Sequence, residues 1–243
     1  LIQLRLDTPK RECFIRVVCI SDIHDQITKI IHRIPDGDIL ICAGDFTHTG
    51  SEEKLKEFDE TVGKLPHKFK IVIAGNHDLG FQDDYSLSES QENIACRGLK
   101  GTPKGYKLLK NCIYLQDSST KVMGLNIYGS SWHPLPGFPF YLPRGQQLLE
   151  KWNLIPTGTD ILVTHTPPLG HNDIFNKENT RCGCSELLNT VEKRVHPKFH
   201  VFGHIHEQNG VTTNGETTFI NASICTHALN PIYDPVIFDI PKP

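Results

Sequence analysis

The sequence lacks the features that mark membrane-spanning, nucleic-acid-binding and repetitive proteins. None of its apolar runs approaches the roughly 18–20 residues that a membrane span needs. The formal net charge of the 243 residues is only −3, so no strong basic field is available for nucleic acid or an anionic membrane. Internal repeats, low-complexity tracts and Gly/Ser linkers are also missing. With 38% hydrophobic and 22% charged residues, the chain is expected to form a single globular domain over residues 1–243, with neither a membrane nor nucleic acid as partner.

Cysteine motifs for zinc ribbons and disulfide frameworks are missing as well. The eight Cys include no Cys-x-x-Cys pair. Cys19 and Cys42 fall inside apolar, strand-like runs, where a free thiol behaves as a small hydrophobe. Cys182 and Cys184 have no second pair of ligands nearby, which disfavours zinc there. The pattern favours a reduced, intracellular chain, and we expect a cytoplasmic location.

Short apolar runs rich in β-branched residues predict strands along the whole chain. The predicted strands are residues 16–21, 38–43, 70–74, 112–115, 126–129, 160–164, 198–202, 217–222 and 236–240. Helices are predicted after Ser51, which precedes two acids as an N-cap should, and at residues 145–152 and 185–194. The polar segment 82–105 is expected to be a loop with a short helix. The elements together indicate an α/β protein.

The abundance of histidine, 13 residues, matters because His is the commonest metal ligand. Five of the predicted strands end in residues that bind metals in proteins. These are Asp22 with His24, Asp45, Asn76 with His77 and Asp78, His165, and His204 with His206. Open α/β sheets place ligands at the carboxyl ends of their strands, where the loops converge on one crevice. We therefore expect these side chains to form one site, although they are spread over almost 190 residues of the chain.

The residue types at these strand ends suit hard or borderline divalent cations. Asp22 and His24 are separated by one residue, so both side chains of an extended segment point to the same face. Carboxylate and imidazole together favour Mn, Fe, Zn or Mg over soft copper. The two oxygens of Asp45 could bridge two cations, and Asn76 offers a neutral oxygen, which favours an anionic substrate.

Taken in order, Asp-x-His, Gly-Asp, Gly-Asn-His-Asp, a strand-ending His and Gly-His-x-His resemble the signature of the calcineurin-like metallophosphoesterases. The chain is also similar to the metallophosphoesterase domain-containing proteins of animals, for example in residues 70–77, 142–146, 151–155 and 201–207. The resemblance implies an α/β metallophosphoesterase fold, with a central β-sandwich flanked by helices and a dinuclear metal site at the C-terminal ends of the strands.

The same resemblance implies two divalent metal ions, with Mn²⁺ preferred and Mg²⁺, Fe or Zn²⁺ as alternatives. One ion would be held by Asp22, His24, Asp45 and His206, and the other by Asp45, Asn76, His165 and His204. His77 corresponds to the catalytic histidine of the family. Two cations about 3.5–4 Å apart could generate a bridging hydroxide and neutralise a phosphoryl group during in-line displacement. Asp78 is expected to be a structural partner of this site rather than a ligand.

One segment departs from the pattern of many metallophosphoesterases, which is Gly-Asp-x-x-Asp followed by a phosphate-binding Arg. Here His48 replaces the second acid and the Arg is missing, so we expect His48 to orient His77. A phosphomonoester dianion benefits most from a bidentate Arg, whereas a diester depends less on it. The predicted substrate is therefore a small phosphodiester, with cyclic nucleotides among the candidates. A phosphomonoesterase and a non-catalytic scaffold are the alternatives, and the complete ligand set disfavours the scaffold.

Several loop residues are candidates for contact with the substrate. We expect His48, Trp132 and His171 to line the substrate pocket, with His133 and Arg144 in the same loops. Their residue types do not indicate which base or alcohol would be bound.

Overall fold

Two β-sheets form the centre of the molecule in the computed structural model, which describes residues 4–83, 99–175 and 179–242. The strands of the first sheet are β1 (Phe14–Ile20), β2 (Ile39–Cys42), β3 (Phe69–Val72), β4 (Ile113–Tyr114) and β11 (Val236–Pro241). Their order is β11-β1-β2-β3-β4, and all neighbours are parallel except β11, which pairs antiparallel with β1.

The strands of the second sheet are β5 (Ser118–Val122), β6 (Leu125–Ser130), β7 (Ile161–Thr164), β8 (Phe199–Phe202), β9 (Gly210–Thr213) and β10 (Thr218–Asn221). Their order is β5-β6-β7-β8-β10-β9. The four central strands run parallel, and the edge strands β5 and β9 are antiparallel to their neighbours. Parallel central strands bring their carboxyl ends to one edge of each sheet, which is where the sequence places its ligand-type residues.

Helices cover the outer faces of the two sheets. They are α1 (Ile27–Ile30), α2 (Glu52–Gly63), α3 (Gln146–Trp152) and α4 (Ser185–Thr190), the last continued by a π-helical turn at Val191–Val195. Shorter 3₁₀ turns lie at Ile31–Arg33, Gly105–Leu108 and His206–Gln208. The predicted cap of α2 is confirmed, since the Ser51 side chain accepts a hydrogen bond from the backbone N–H of Lys54 at 3.4 Å.

Alternation along β1 shows how the layers are built. Val17 and Cys19 are buried in the cluster between the two sheets, together with residues such as Ile127 of β6. Val18 and Ile20 point the other way and belong to the cluster that contains Phe58 of α2. Side chains that alternate between two apolar environments are expected for strands buried on both faces. The arrangement confirms the β-sandwich flanked by helices that the family resemblance implies.

All nine predicted strands and the three predicted helices are present, with ends shifted by a few residues at most. The sequence did not predict β5, β9 or the single turn α1, which are short and partly polar. Within the predicted loop 82–105, residues 84–98 lie outside the described residues. The described cysteines are all free. Among the described helices, none combines the length and the apolarity that crossing a membrane requires.

Candidate metal centre

The residues that follow the parallel strands meet between the two sheets. Asp22 follows β1, Asp45 follows β2, and Asn76 follows β3, all in the first sheet, while His165 and His204 follow β7 and β8 in the second. The structure brings all seven predicted ligands to this edge, His24 and His206 included, and groups of them lie close enough to share an ion.

Asp45 lies at the middle of the cluster. Its Oδ2 is 3.3 Å from Nε2 of His165 and 3.9 Å from Nε2 of His24. Nε2 of His165 is also 2.9 Å from Oδ1 of Asn76. Asp45 therefore faces a residue of each predicted ligand set, as a bridging carboxylate must.

Asp22 and two histidines form the other side of the cluster. Nε2 of His206 is 3.3 Å from Oδ1 of Asp22 and 3.2 Å from Nε2 of His24. Asp22 also accepts hydrogen bonds from the backbone N–H of His204 and from the Ser223 hydroxyl, which reach its Oδ2 at 2.9 and 2.7 Å. This carboxylate at the end of the first sheet is thus tied to two segments of the second.

Hydrogen bonds to the backbone fix which ring nitrogen of each histidine faces the centre. Nδ1 of His165 donates to the carbonyl of Ala43 at 2.8 Å, and Nδ1 of His206 donates to the carbonyl of Thr226 at 2.9 Å. Nε2 of each ring is consequently the nitrogen that faces the carboxylate and amide oxygens. Such a cluster of electron-pair donors repels itself unless a proton or a metal cation lies among its atoms, so the residues fit divalent metal ions.

The electrostatics of the side chains indicate the same need for positive charge. Burial alone would raise the pKa of Asp22 and Asp45, but the neighbouring His206 and His165 bring both below their ordinary values. Burial disfavours the imidazolium ions too, yet the two carboxylates raise the pKa of His165 and of His206 to about 9. The carboxylates thus hold protons on these imidazoles, and divalent cations would replace that positive charge.

Four of the candidate ligands have left-handed backbone conformations that non-glycine residues rarely adopt. The φ angles are +53° at Asp22, +46° at His24, +51° at Asp45 and +69° at His204. Such conformations cost about 1–3 kcal/mol each and persist where the surroundings impose them. They cluster here because the backbone must turn sharply at the end of each strand to direct the ligand side chain toward the centre of the site.

Two glycines allow the backbones to approach the carboxylates. A Cβ atom on Gly75 would lie 2.2 Å from Oδ1 of Asp45, and one on Gly203 would lie 2.1 Å from Oδ2 of Asp22. No side chain fits at these positions without moving the ligands. The Gly in the Gly-Asn-His-Asp and Gly-His-x-His motifs is therefore a packing requirement of the site.

Asp78 holds the turns around the centre. It is fully buried, and its Oδ2 accepts the backbone N–H groups of Asp45 and Gly75, both at 2.8 Å. Its Oδ1 accepts the N–H and the hydroxyl of Thr47, at 2.9 and 2.7 Å. Burial and the charge of Asp45 raise the pKa of this carboxyl to about 7. These contacts fit the expectation that Asp78 is a structural partner.

His77 lies beside the ligands, and its ring is held by the backbone. Its Nδ1 donates to the carbonyl oxygen of His48 at 3.0 Å, and its own N–H donates to Oδ1 of Asp45 at 2.7 Å. We expected the ring of His48 to orient His77, but that ring stacks on His77 at 5.1 Å between centroids, and its Nδ1 faces Nδ1 of His24 at 3.4 Å. The carbonyl of His48 provides the orientation instead.

A cavity of about 700 Å³ opens over the centre. Seven residues expected at the site line it, namely His24, Asp45, His48, Asn76, His77, His204 and His206. Apolar side chains complete the wall, among them Pro134, Leu135, Phe138 and Phe175. Arg144, which the sequence placed in a pocket loop, also lines the cavity.

Trp132 and His171 do not lie among the described residues that line the cavity, contrary to expectation. The indole N–H of Trp132 donates to the carboxylate of Asp117 at 2.8 Å, and the Lys151 ammonium lies 4.1 Å above its ring. The ring of His171 stacks on Phe219 at 3.6 Å between centroids. Both side chains are turned into the protein by these partners, which lie far from them in the sequence.

Arg181 also lines the cavity, although the sequence pattern does not predict it. Its Nη1 pairs with Oδ1 of the fully buried Asp173 at 2.5 Å. No local motif marks Arg181, because the loop that carries it approaches the centre only through tertiary packing.

Comparison with known proteins confirms the resemblance seen in the sequence. Residues 15–208 match the calcineurin-like phosphoesterase family. A Caenorhabditis elegans UPF0046 protein is 56% identical over 99% of this chain and 86% of its own length. Human metallophosphoesterase domain-containing protein 1 is 50% identical over 98% of this chain and 74% of its own length. A more distant relative, a probable glycerophosphodiester phosphodiesterase from Arcobacter nitrofigilis, is 26% identical over 91% of this chain and 74% of its own length.

The family match covers most of the chain, and the relatives span nearly all of it. This family implies divalent metal ions and hydrolysis of phosphoric esters, for which the ligand cluster and the cavity above it are suited. The chain belongs to the calcineurin-like phosphoesterase family.

Proposed function

We propose that this chain, acting as one domain, is a dinuclear-metal-dependent phosphodiesterase that hydrolyses small phosphodiesters, with cyclic nucleotides among its substrates. The observation that carries the proposal is the position of Asp45. Its Oδ2 faces His165 and His24, which belong to different predicted ligand sets, and its Oδ1 fixes the backbone of His77 at 2.7 Å.

The proposed ligand assignment is the one that the family resemblance implies, and the contacts of Asp45 with His165 and His24 support it. Asp22, His24, Asp45 and His206 would hold one ion, and Asp45, Asn76, His165 and His204 the other, with Mn²⁺ the preferred metal. When bound, two divalent cations supply Lewis acidity toward the phosphoryl oxygens and a nucleophile derived from water. The chain fixes the ligand orientation through the backbone carbonyls of Ala43 and Thr226, which hold Nδ1 of His165 and His206.

His77 would serve the leaving group. Because its Nδ1 is bound to the carbonyl of His48, its Nε2 is the nitrogen available to a ligand in the cavity. A ring held in this way is suited to give a proton to the departing oxygen or to stabilise its developing charge.

Two features of the cavity favour a diester. The segment after β2 has His48 where the pattern of many metallophosphoesterases has an acid and a following Arg. In addition, the two described arginines of the cavity wall already have other partners. Arg181 pairs with Asp173, and Arg144 donates to the carbonyls of Gly183 and Cys182 at 3.0 and 3.2 Å. A diester carries one negative charge less than a monoester and needs less cationic support. The similarity to a probable glycerophosphodiester phosphodiesterase points in the same direction.

The presence of Arg144 and Arg181 in the wall keeps a phosphomonoesterase as the second candidate. Each guanidinium retains N–H groups beyond those used in its contacts, and a monoester dianion would profit from them.

One assay separates the two functions. Metal-depleted protein is supplied with Mn²⁺, Mg²⁺ or Zn²⁺ and tested on bis(4-nitrophenyl) phosphate, 4-nitrophenyl phosphate and cyclic AMP. We expect kcat/KM for the diester to exceed that for the monoester by at least about tenfold, or about 1.4 kcal/mol of transition-state binding. Equal or faster monoester hydrolysis with every metal would reject the diesterase, and inactivity on all three substrates would reject both candidates.

A further inference from the structure

The wall of the cavity next to His77 is a short loop, residues 134–139. Hydrogen bonds to the two ring nitrogens of His133 hold this loop in place. His133 is completely buried, and its Nε2 donates to the carbonyl of Pro139 at 2.6 Å. Its Nδ1 accepts the backbone N–H of Leu135 at 3.1 Å. The ring therefore connects the beginning of segment 134–139 to its end.

This double role requires a neutral ring with the proton on Nε2, because Nδ1 must accept while Nε2 donates. Backbone hydrogen bonds reinforce the base of the loop. The N–H of His133 donates to the carbonyl of Phe140 at 3.0 Å, and the N–H of Leu142 donates to the carbonyl of His133 at 3.1 Å.

The loop that His133 closes presents apolar groups to the cavity. Pro134, Leu135 and Phe138 line it, and Leu135 is 37% exposed. The Phe138 ring lies 5.3 Å from the ring of His77. A substituent on a phosphoryl group at the metal centre would thus meet this apolar wall beside the residue assigned to the leaving group.

We propose that His133 is a positioning residue that fixes segment 134–139 as an apolar subsite, and that this subsite selects ligands with an aromatic or other apolar group attached to phosphorus. The inference rests on the proposed function, since it places the phosphoryl group at the metal centre. His133 touches neither the phosphoryl group nor its substituent, and it acts through Leu135 and Phe138.

Binding of two phosphonates to the Mn²⁺-loaded protein tests the proposal without any turnover. Phenylphosphonate and methylphosphonate share the anionic group and differ only in the apolar one, and neither has an ester bond to hydrolyse. By isothermal titration calorimetry, we expect the wild-type protein to bind phenylphosphonate about tenfold more tightly, because part of the ring leaves water. Equal affinity for the two would overturn the proposal.

Three single-residue variants test whether the preference for phenylphosphonate depends on His133. In His133→Ala the preference should fall to about twofold or less, while affinity for methylphosphonate and metal content by atomic emission stay at the wild-type level. His133→Gln retains an N–H near the position of Nε2 for Pro139 and should recover part of the preference. His171→Ala, which removes a histidine outside the cavity lining, is the matched control and should retain the full preference.

A double-mutant cycle shows whether His133 acts on ligand preference through Phe138 of the cavity wall. Phe138→Ala, at a partly exposed position, should by itself reduce the preference, and adding His133→Ala should reduce it little further. Fully additive losses, or loss of metal in His133→Ala while its thermal unfolding stays cooperative, would overturn the proposed role. Should the chain hydrolyse no ester and still prefer phenylphosphonate, the proposed function would fail and the subsite would stand.

Discussion

The carboxylate of Asp45 accepts the backbone N–H of His77 at 2.7 Å, so the residue assigned to bridge the metals also fixes the residue assigned to the leaving group. The two oxygens have separate contacts, since Oδ1 holds His77 and Oδ2 faces His165 at 3.3 Å. Because one side chain serves both purposes, a change at Asp45 is expected to affect metal binding and catalytic geometry together.

Replacement of Asp45 by Ala should abolish the binding of both ions and with it the activity. The neighbouring ligands would lose the carboxylate that is assigned to both predicted sets. Metal analysis after gel filtration in Mn²⁺ measures the outcome, with the exposed Asp7→Asn as a matched control that should keep both equivalents. Two bound equivalents in Asp45→Ala would show that the bridging assignment is wrong. Asn76→Ala should weaken only one site, because it removes a neutral oxygen.

Replacement of His77 by Ala should leave both metals bound and lower kcat by about 10²–10⁴-fold, the usual contribution of one acid–base or charge-stabilising group. The loss should be smaller for nitrophenyl esters, whose leaving group needs little protonation, than for alkyl esters. Steady-state kinetics on both ester types, with metal content determined in parallel, provides the measurement.

His204→Ala and His206→Ala serve as the comparison for His77. These variants should lose metal first and recover part of their activity at high Mn²⁺ concentration, whereas His77→Ala should not recover. Full activity of His77→Ala on both ester types, or an emptied metal site, would contradict its assigned role.

We expect Asp78 to stabilise the fold rather than to take part directly in the chemistry. Its removal in Asp78→Ala leaves the buried N–H groups of Gly75, Asp45 and Thr47 without their acceptor. Each unpaired buried donor costs about 1–3 kcal/mol, so the free energy of unfolding should fall by about 3 kcal/mol or more. Asp78→Asn keeps one oxygen as an acceptor and should lose less. Urea denaturation of the two variants measures the difference, and an Ala variant as stable as wild type would disprove the role.

We expect the buried His200 to lower the free energy of unfolding in acid. Burial lowers its pKa to about 3 from the ordinary 6.5, so the unfolded chain takes up a proton below pH 6.5 that the folded chain does not. The stability that this group contributes is therefore complete above about pH 6.5 and declines as the pH falls toward 3. Between pH 7 and pH 5, we expect His200 to account for a decrease of about 2 kcal/mol in the free energy of unfolding.

His200→Gln removes this titration and keeps a donor for the Thr164 hydroxyl, to which Nε2 of His200 donates at 2.8 Å. Urea denaturation of metal-depleted wild type and variant at both pH values isolates the contribution. The variant should lose about 2 kcal/mol less over this interval, and parallel decreases would show that His200 is not responsible.

The sequence predicts the strands and the convergence of the site because both follow from local pattern. Strands such as β1 and β7 are buried on both faces, so their apolar runs are continuous, and the residues after them must lie at one edge of a parallel sheet. By contrast, β5 and β9 are edge strands with partly exposed polar residues, and their apolar signal is weak.

The loop residues were harder to place, because tertiary contacts decide where they point. Trp132 and His171 carry groups that commonly bind ligands, yet Asp117 and Phe219 draw them into the protein. The sequence also cannot show that the carbonyl of His48 and not its ring would hold His77, since that depends on the conformation of the turn.

The hydrogen bonds of Asp22 join the two sheets of the sandwich at the end where the metal ligands lie. Asp22 closes β1, yet the groups that donate to it, His204 N–H and the Ser223 hydroxyl, follow strands of the other sheet. A backbone hydrogen bond also joins the two sheets here, because the N–H of Ile224 donates to the carbonyl of Ser21 at 2.9 Å. Ion binding should therefore slow amide hydrogen exchange at the ends of β1 and β8 in step, so that the two halves open as one cooperative unit.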